Sequence, residues 1–153
     1  MSENSIIKWQ NSYSVGIKLV DEQHKELIKL TNKLFLSCSL GQDQLTSVFM
    51  TTIHEAIDYV VYHFGTEEKI MERVNYPHIE IHRNEHKEFA REVLLQVEDF
   101  KSGKTTAPLS FVNFLKDWVL NHVAVSDKKM GDYLVTLKKS GELDRMTLVG
   151  KKD

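Results

Sequence analysis

Four segments of this chain carry side chains that could hold a cation: His24 alone, His63 with Glu67, His82 with His86, and His122 with Asp127. A four-residue spacing puts two side chains about 40° apart around a helix axis, so each i, i+4 pair projects from one face. The stretch 78 to 86, HIEIHRNEH, adds His78 on the same spacing. Imidazole nitrogens and carboxylate oxygens are transition-metal ligands, and five histidines with Glu67 and Asp127 exceed the four ligands of a structural zinc. Two metal ions are implied. Imidazole with a bridging carboxylate suits iron, and no thiolate stands nearby to build an iron–sulfur or blue-copper centre; ligand type alone leaves zinc and manganese open.

These residues need elements that bring them together. Proline occurs at two positions, Pro77 and Pro108, and strong turn signals are few, which favours long helices over short strands. The breaks are LGQDQ, with Gly41 as a stop and Asp43 as the next N-cap, then VNYP and SGKTTAP. They predict an all-α fold with helices at about 19 to 39, 44 to 73, 78 to 102 and 109 to 130. An ordered N-terminal arm carries Trp9, Tyr13 and Ile17, a short C-terminal helix is expected around 131 to 140, and the tail RMTLVGKKD is expected to be loose.

Each helix has an apolar stripe interrupted by a candidate ligand. His24 lies in line with Val20, Leu27 and Leu34, and His63 and Glu67 with Ala56, Val60, Ile70 and Met71. His82 and His86 continue into Phe89, Val93, Val97 and Phe100, and His122 falls among Phe111, Leu115, Trp118 and Val125. Short connections make consecutive helices antiparallel, giving an up-down-up-down four-helix bundle. At about 1.5 Å rise per residue, His24, His82 and His86 lie about 6 to 12 Å from the starts of their helices. His63, Glu67 and His122 lie about 9 to 15 Å from the ends of theirs, so all fall in one half of the bundle. Burying them together costs a few kcal/mol each unless they are satisfied, and a metal satisfies imidazole and carboxylate at once.

The spacing of His122 and Asp127 departs from this rule. Five residues correspond to about 140° on a regular α-helix, so the two should not share a face. A π-bulge or local unwinding within VAVSD, residues 123 to 127, is therefore expected.

Composition narrows the class. With 153 residues, 27% charged, and a formal net charge of −2, the chain has the size of one domain and no basic surplus for nucleic acid or an anionic membrane. No apolar run approaches the roughly 20 residues that span a bilayer. A single cysteine and an N-terminus without a signal pattern point to the cytoplasm.

In their order, the segments WQNSYSVGIKLVDEQHKELI, HFGTEEKIM, NYPHIEIHRNEH and WVLNHVAVSDKK resemble the hemerythrin family, most closely its single-domain bacterial type, over about residues 9 to 134 of one domain spanning 1 to 153. Myohemerythrin is an example of the same bundle topology. The resemblance implies a non-haem di-iron centre. His82, His86 and His122 complete one iron, and His24 and His63 the other; Glu67, Asp127 and an oxo or hydroxo group bridge them. It further implies reversible O2 binding for storage, delivery or sensing, with O2 held as hydroperoxide at an open iron position. Trp118 and Val119 are expected to form a dry wall of the O2 pocket. The expected protein is not an enzyme, and its partners are O2 and an O2-consuming enzyme that receives it. The alternatives are a di-iron enzyme, such as an oxidase or a peroxide or nitric oxide scavenger, and an oxygen- or iron-responsive signalling module. Ferritin-type oxidases use carboxylate-rich ligation, so this histidine-rich set favours the carrier. Met130 replaces a tyrosine associated with many relatives, and Gly65 is unusual inside a helix.

The remaining candidates have smaller roles. His54, nine residues before His63, is expected to face outward. His78, next to Pro77, is expected at the rim rather than among the ligands. Glu68 is expected beside the site or on the surface, and Cys38 as a small packing residue.

Overall fold

A computed structural model describes residues 5–39, 42–103 and 108–141. Gly41 and the tail RMTLVGKKD lie outside the described residues, as do most of the SGKTTAP connection and the Asp43 side chain. Among the described residues every regular element is helical: α1 Lys18–Ser37, α2 Gln42–Arg73, α3 Ile79–Lys101, α4 Pro108–Asn121 and α5 Lys128–Ser140. α1 packs against α2 and α4, and α3 against the same two, as an up-down-up-down bundle requires. No helix among the described residues is long and apolar enough to cross a membrane.

The fourth helix differs from the expected break near residue 130. α4 runs into α5 through one wide π turn, His122–Asp127, with the expected widening between His122 and Asp127. The extra residue re-registers the stripe. Val123 and Asp127 turn inward, while Val125, expected in the stripe, is 57% exposed.

Local chemistry sets the other ends. α2 stops where Asn75 takes a left-handed φ of 52°, with the Tyr76 N–H donating to Met71 O at 2.9 Å and the Asn75 N–H to Glu72 O at 3.3 Å. This pair of bonds satisfies carbonyls that a helix end leaves open. The described part of the N-terminal arm is tied to α1. Asn32 Oδ1 accepts the backbone N–H groups of Ile6 and Ile7, each at 3.0 Å, and its amide donates to Ile7 O at 2.9 Å. Asp21 accepts from Val15 N and Ser14 Oγ, which fixes the entry into α1. Gly131 lets α5 abut this arm: a Cβ there would lie 2.1 Å from the Val15 carbonyl oxygen.

Three apolar clusters bracket the polar residues. One fills the half of the bundle with Leu34, Phe49, Ile53, Val93, Val97 and Phe111. A second joins Val15, Val20, Met71, Tyr76, Met130 and Leu134 at the opposite end, and a third packs Ile7 with Ile28, Val119 and Val123. The candidate ligands lie between the first two.

Candidate metal centre

All seven candidate ligands are buried, and His24, Glu67 and Asp127 are 0% exposed. The helical stripes converge as the spacing requires, and the wide turn brings Asp127 onto the same side as His122. The ligand atoms form two sets: His82, His86 and His122 with Glu67 and Asp127, and His24 and His63 with the same two carboxylates.

Each carboxylate divides its oxygens between the two sets. Asp127 Oδ2 lies 2.8 Å from His24 Nε2, while Oδ1 lies 3.0 Å from both His82 Nε2 and His122 Nε2. Glu67 Oε1 faces His63 and His24, and its Oε2 lies 3.3 Å from His82 Nε2. His86 Nε2 points to His122 Nε2 at 3.1 Å. The histidine–carboxylate contacts among these lack hydrogen-bond geometry: among the described residues, both oxygens of Glu67 and Asp127, His82 Nε2 and both nitrogens of His24 have no hydrogen-bond partner. Buried polar atoms left unsatisfied are costly, and a pair of cations between the sets would satisfy all the inward-facing ones. The donor set of imidazole and bridging carboxylate therefore fits two transition-metal ions.

The electrostatics agree. Burial opposes charge on His24, His82 and His122, but Asp127 and Glu67 outweigh it and hold them up to about 9, 10 and 9. Burial likewise opposes charge on the carboxylates, yet the histidines hold Glu67 down to about 2 and Asp127 well below the usual range. His86 goes the other way, to about 4, because burial prevails. Its neutral ring keeps an Nε2 lone pair facing inward.

Residues that sequence reasoning missed fix the ring orientations. His63 Nδ1 donates to Gln23 Oε1 at 2.7 Å, and His122 Nδ1 to Glu85 Oε2 at 3.0 Å. Glu68 accepts from His86 Nδ1 at 3.0 Å, which realises its expected place beside the site. Ser126 Oγ donates to the oxygen of Glu85 that holds His122. The hydrogen bond from His122 holds the Glu85 carboxyl down to about 2 against partial burial. A regularity links these partners: Gln23, Glu68 and Glu85 each adjoin a candidate ligand on their own helix and support a ligand on the next. That juxtaposition is the signal by which they could have been found.

Aromatic rings close the apolar side. Phe64 stacks on His86 at 3.8 Å and 6°, and Trp118 on His122 at 4.3 Å and 12°. Val119 is buried against Ile28 and Val123. His78 is exposed and lines, with Tyr76, Glu85, Ser126 and Lys129, a cavity of about 120 Å³ that reaches His82 from outside. His54 is exposed, and Cys38 is a partly buried free thiol packed on the first apolar cluster, both as expected.

A bundle with a buried histidine and carboxylate cluster defines a class of cation-binding helical proteins, and comparison with known proteins names it. The family model described as the hemerythrin HHE cation-binding domain matches residues 15–134. This chain belongs to the hemerythrin family. It is 27% identical to a bacteriohemerythrin of Stenotrophomonas maltophilia over 84% of this chain and 81% of that protein. Its identity to a hemerythrin-like protein of Naegleria gruberi is 30%, over 82% of this chain and 91% of the relative. A crystal structure of wild-type hemerythrin superimposes with a TM-score of 0.77 at 26% identity, covering 84% of this chain and 97% of the other.

Proposed function

We propose that this chain is a single hemerythrin-like domain that binds O2 reversibly at two iron ions, and that it stores, delivers or senses O2 in the cytoplasm rather than turning over a substrate. His82, His86 and His122 would hold one ion and His24 and His63 the other, with Glu67 and Asp127 placed to serve both. The observation that carries this reading is the division of each buried carboxylate, one oxygen toward each histidine set. When bound, the two ions supply one electron each to O2 and recover them on release.

The chain's own residues supply the rest. Gln23, Glu68 and Glu85 accept the Nδ1 protons of His63, His86 and His122, which leaves Nε2 free to ligate. The set of two histidines offers one imidazole fewer than the set of three, and the family resemblance would put the open position on the His24 and His63 side. Trp118, Val119 and Phe64 exclude water from the ligand rings, and exclusion of water and protons is what keeps O2 binding reversible. Histidine-rich ligation favours a carrier over a carboxylate-rich oxidase.

The test is spectroscopic. Iron-loaded protein is reduced, exposed to O2 and evacuated while the visible absorption is followed. Repeated return of the reduced spectrum is expected. Irreversible oxidation in the first cycle, or turnover of an added substrate, would overturn the carrier reading.

A further inference from the structure

The histidines of the two sets differ in what stands behind them. In the three-histidine set, His86 donates to Glu68 and His122 donates to Glu85, each at 3.0 Å. In the two-histidine set, His63 donates to the neutral amide oxygen of Gln23, and His24 Nδ1 meets no acceptor among the described residues. Two carboxylates thus support one set and none the other. The two are unequal: Glu68 shares its charge with Arg83, whose Nε lies 3.4 Å away, whereas the second partner of the Glu85 oxygen is the neutral Ser126 hydroxyl at 2.5 Å. A carboxylate that accepts the Nδ1 proton makes Nε2 a stronger donor to a cation, and a neutral amide does so less.

We propose that this uneven support sorts the two ion positions. Glu85, assisted by Glu68, makes the His82, His86 and His122 position the tighter and the more easily oxidised, while Gln23 keeps the His24 and His63 position the weaker. Glu85 and Glu68 are positioning residues, since they act through histidines. The inference rests on the di-iron reading above and adds that the open position falls on the more weakly held ion.

The experiment compares the full-length wild type with Glu85→Gln, Glu68→Gln, Gln23→Glu and Ser126→Ala. Three quantities are measured: iron per chain, the two stepwise Fe(II) affinities by chelator competition, and the two one-electron potentials by mediated titration. Glu85→Gln is expected to weaken the tighter step about 10-fold or more and to narrow the gap between the potentials, by about 59 mV for each tenfold by which Fe(III) binding falls more than Fe(II) binding. Glu68→Gln moves both in the same direction by less, and Gln23→Glu narrows the gap by strengthening the weaker step. Ser126→Ala removes the hydroxyl that grips Glu85 but leaves its charge, so the gap persists.

An unchanged gap in Glu85→Gln with two irons retained overturns the inference and leaves the di-iron reading intact. Equal weakening of both steps, or a Ser126→Ala protein that behaves like Glu85→Gln, also overturns it. Loss of one iron only from Glu85→Gln supports it. A wild type that takes up far fewer than two irons defeats the di-iron reading itself.

Discussion

The same four helices build two layers of opposite chemistry. In one half, Leu34, Phe49, Ile53, Val93, Val97 and Phe111 meet with apolar surface alone. About two to three turns along the same stripes, His24, His63, Glu67, His82, His86, His122 and Asp127 meet instead. A buried Val, Leu, Ile or Phe in the first layer contributes roughly 1.5–3 kcal/mol to folding. Each polar group in the second costs free energy unless it is paired, and among the described residues Glu67, Asp127 and His24 keep atoms without a hydrogen-bond partner. Stability is therefore concentrated in the apolar layer, which lets the other layer stay poised for a ligand.

The largest test of this contrast removes a shared carboxylate. Asp127→Asn keeps the shape but replaces one of two divided oxygens with a neutral amide, and retention of both irons is expected to fail by metal analysis. Single ligands come next. His82→Ala is expected to empty the site, whereas His78→Ala, at the rim of the outer cavity, retains two irons. Iron content that fell in His78→Ala as it does in His82→Ala would mean that the third helix is read in the wrong register.

Phe49→Ala probes the other layer. It should cost about 3–5 kcal/mol in denaturant unfolding of the apoprotein, through lost burial and the cavity left behind. Iron stoichiometry should be unchanged at temperatures where the variant remains folded.

Acidity separates the layers without mutation. In the apoprotein, His24, His82 and His122 are raised from 6.5 to about 9 or 10, so their stabilisation is fully present below pH 6.5 and is lost as pH rises toward 10. Glu67 is lowered from 4.5 to about 2, so its contribution is present above pH 4.5 and disappears as pH falls through about 2. Metal displaces the imidazole protons, and affinity rises over the range in which the apoprotein weakens. Melting curves of the two forms should therefore diverge as pH rises from 6.5 to 10. A gap that is constant with pH would contradict the assigned protonation.

The smallest effect is expected from Gly65→Ala. A Cβ at Gly65 meets no atom within 4 Å, so helix propensity should raise stability by about 0.8–1.0 kcal/mol without altering iron content. Any loss of iron would give this glycine, midway between His63 and Glu67, a role that sterics do not require.

Much of the centre was legible because helix periodicity is local. The spacings HxxxE and HxxxH placed His63, Glu67, His82 and His86 on inward stripes, and the five-residue step to Asp127 called for the wide turn at His122–Asp127. Val125 was misplaced because that turn shifts every later residue around the axis. Gln23 and Glu85 were missed because each lies about 100° from the ligand beside it and acts on a histidine of another helix; only their place next to a ligand marked them. Which neighbour receives them depends on how the helices are rotated against one another.

By itself, then, the chain's order of residues determined the helices, the stripe each buries and the seven groups that meet there, because a helix repeats every 3.6 residues wherever it lies. Only the tertiary structure decided which oxygen of Glu67 and Asp127 faces which histidines, and that Glu68 and Glu85 stand behind one set while Gln23 stands behind the other. Those are distances between helices, set by packing angles and side-chain rotamers that no spacing along one helix encodes.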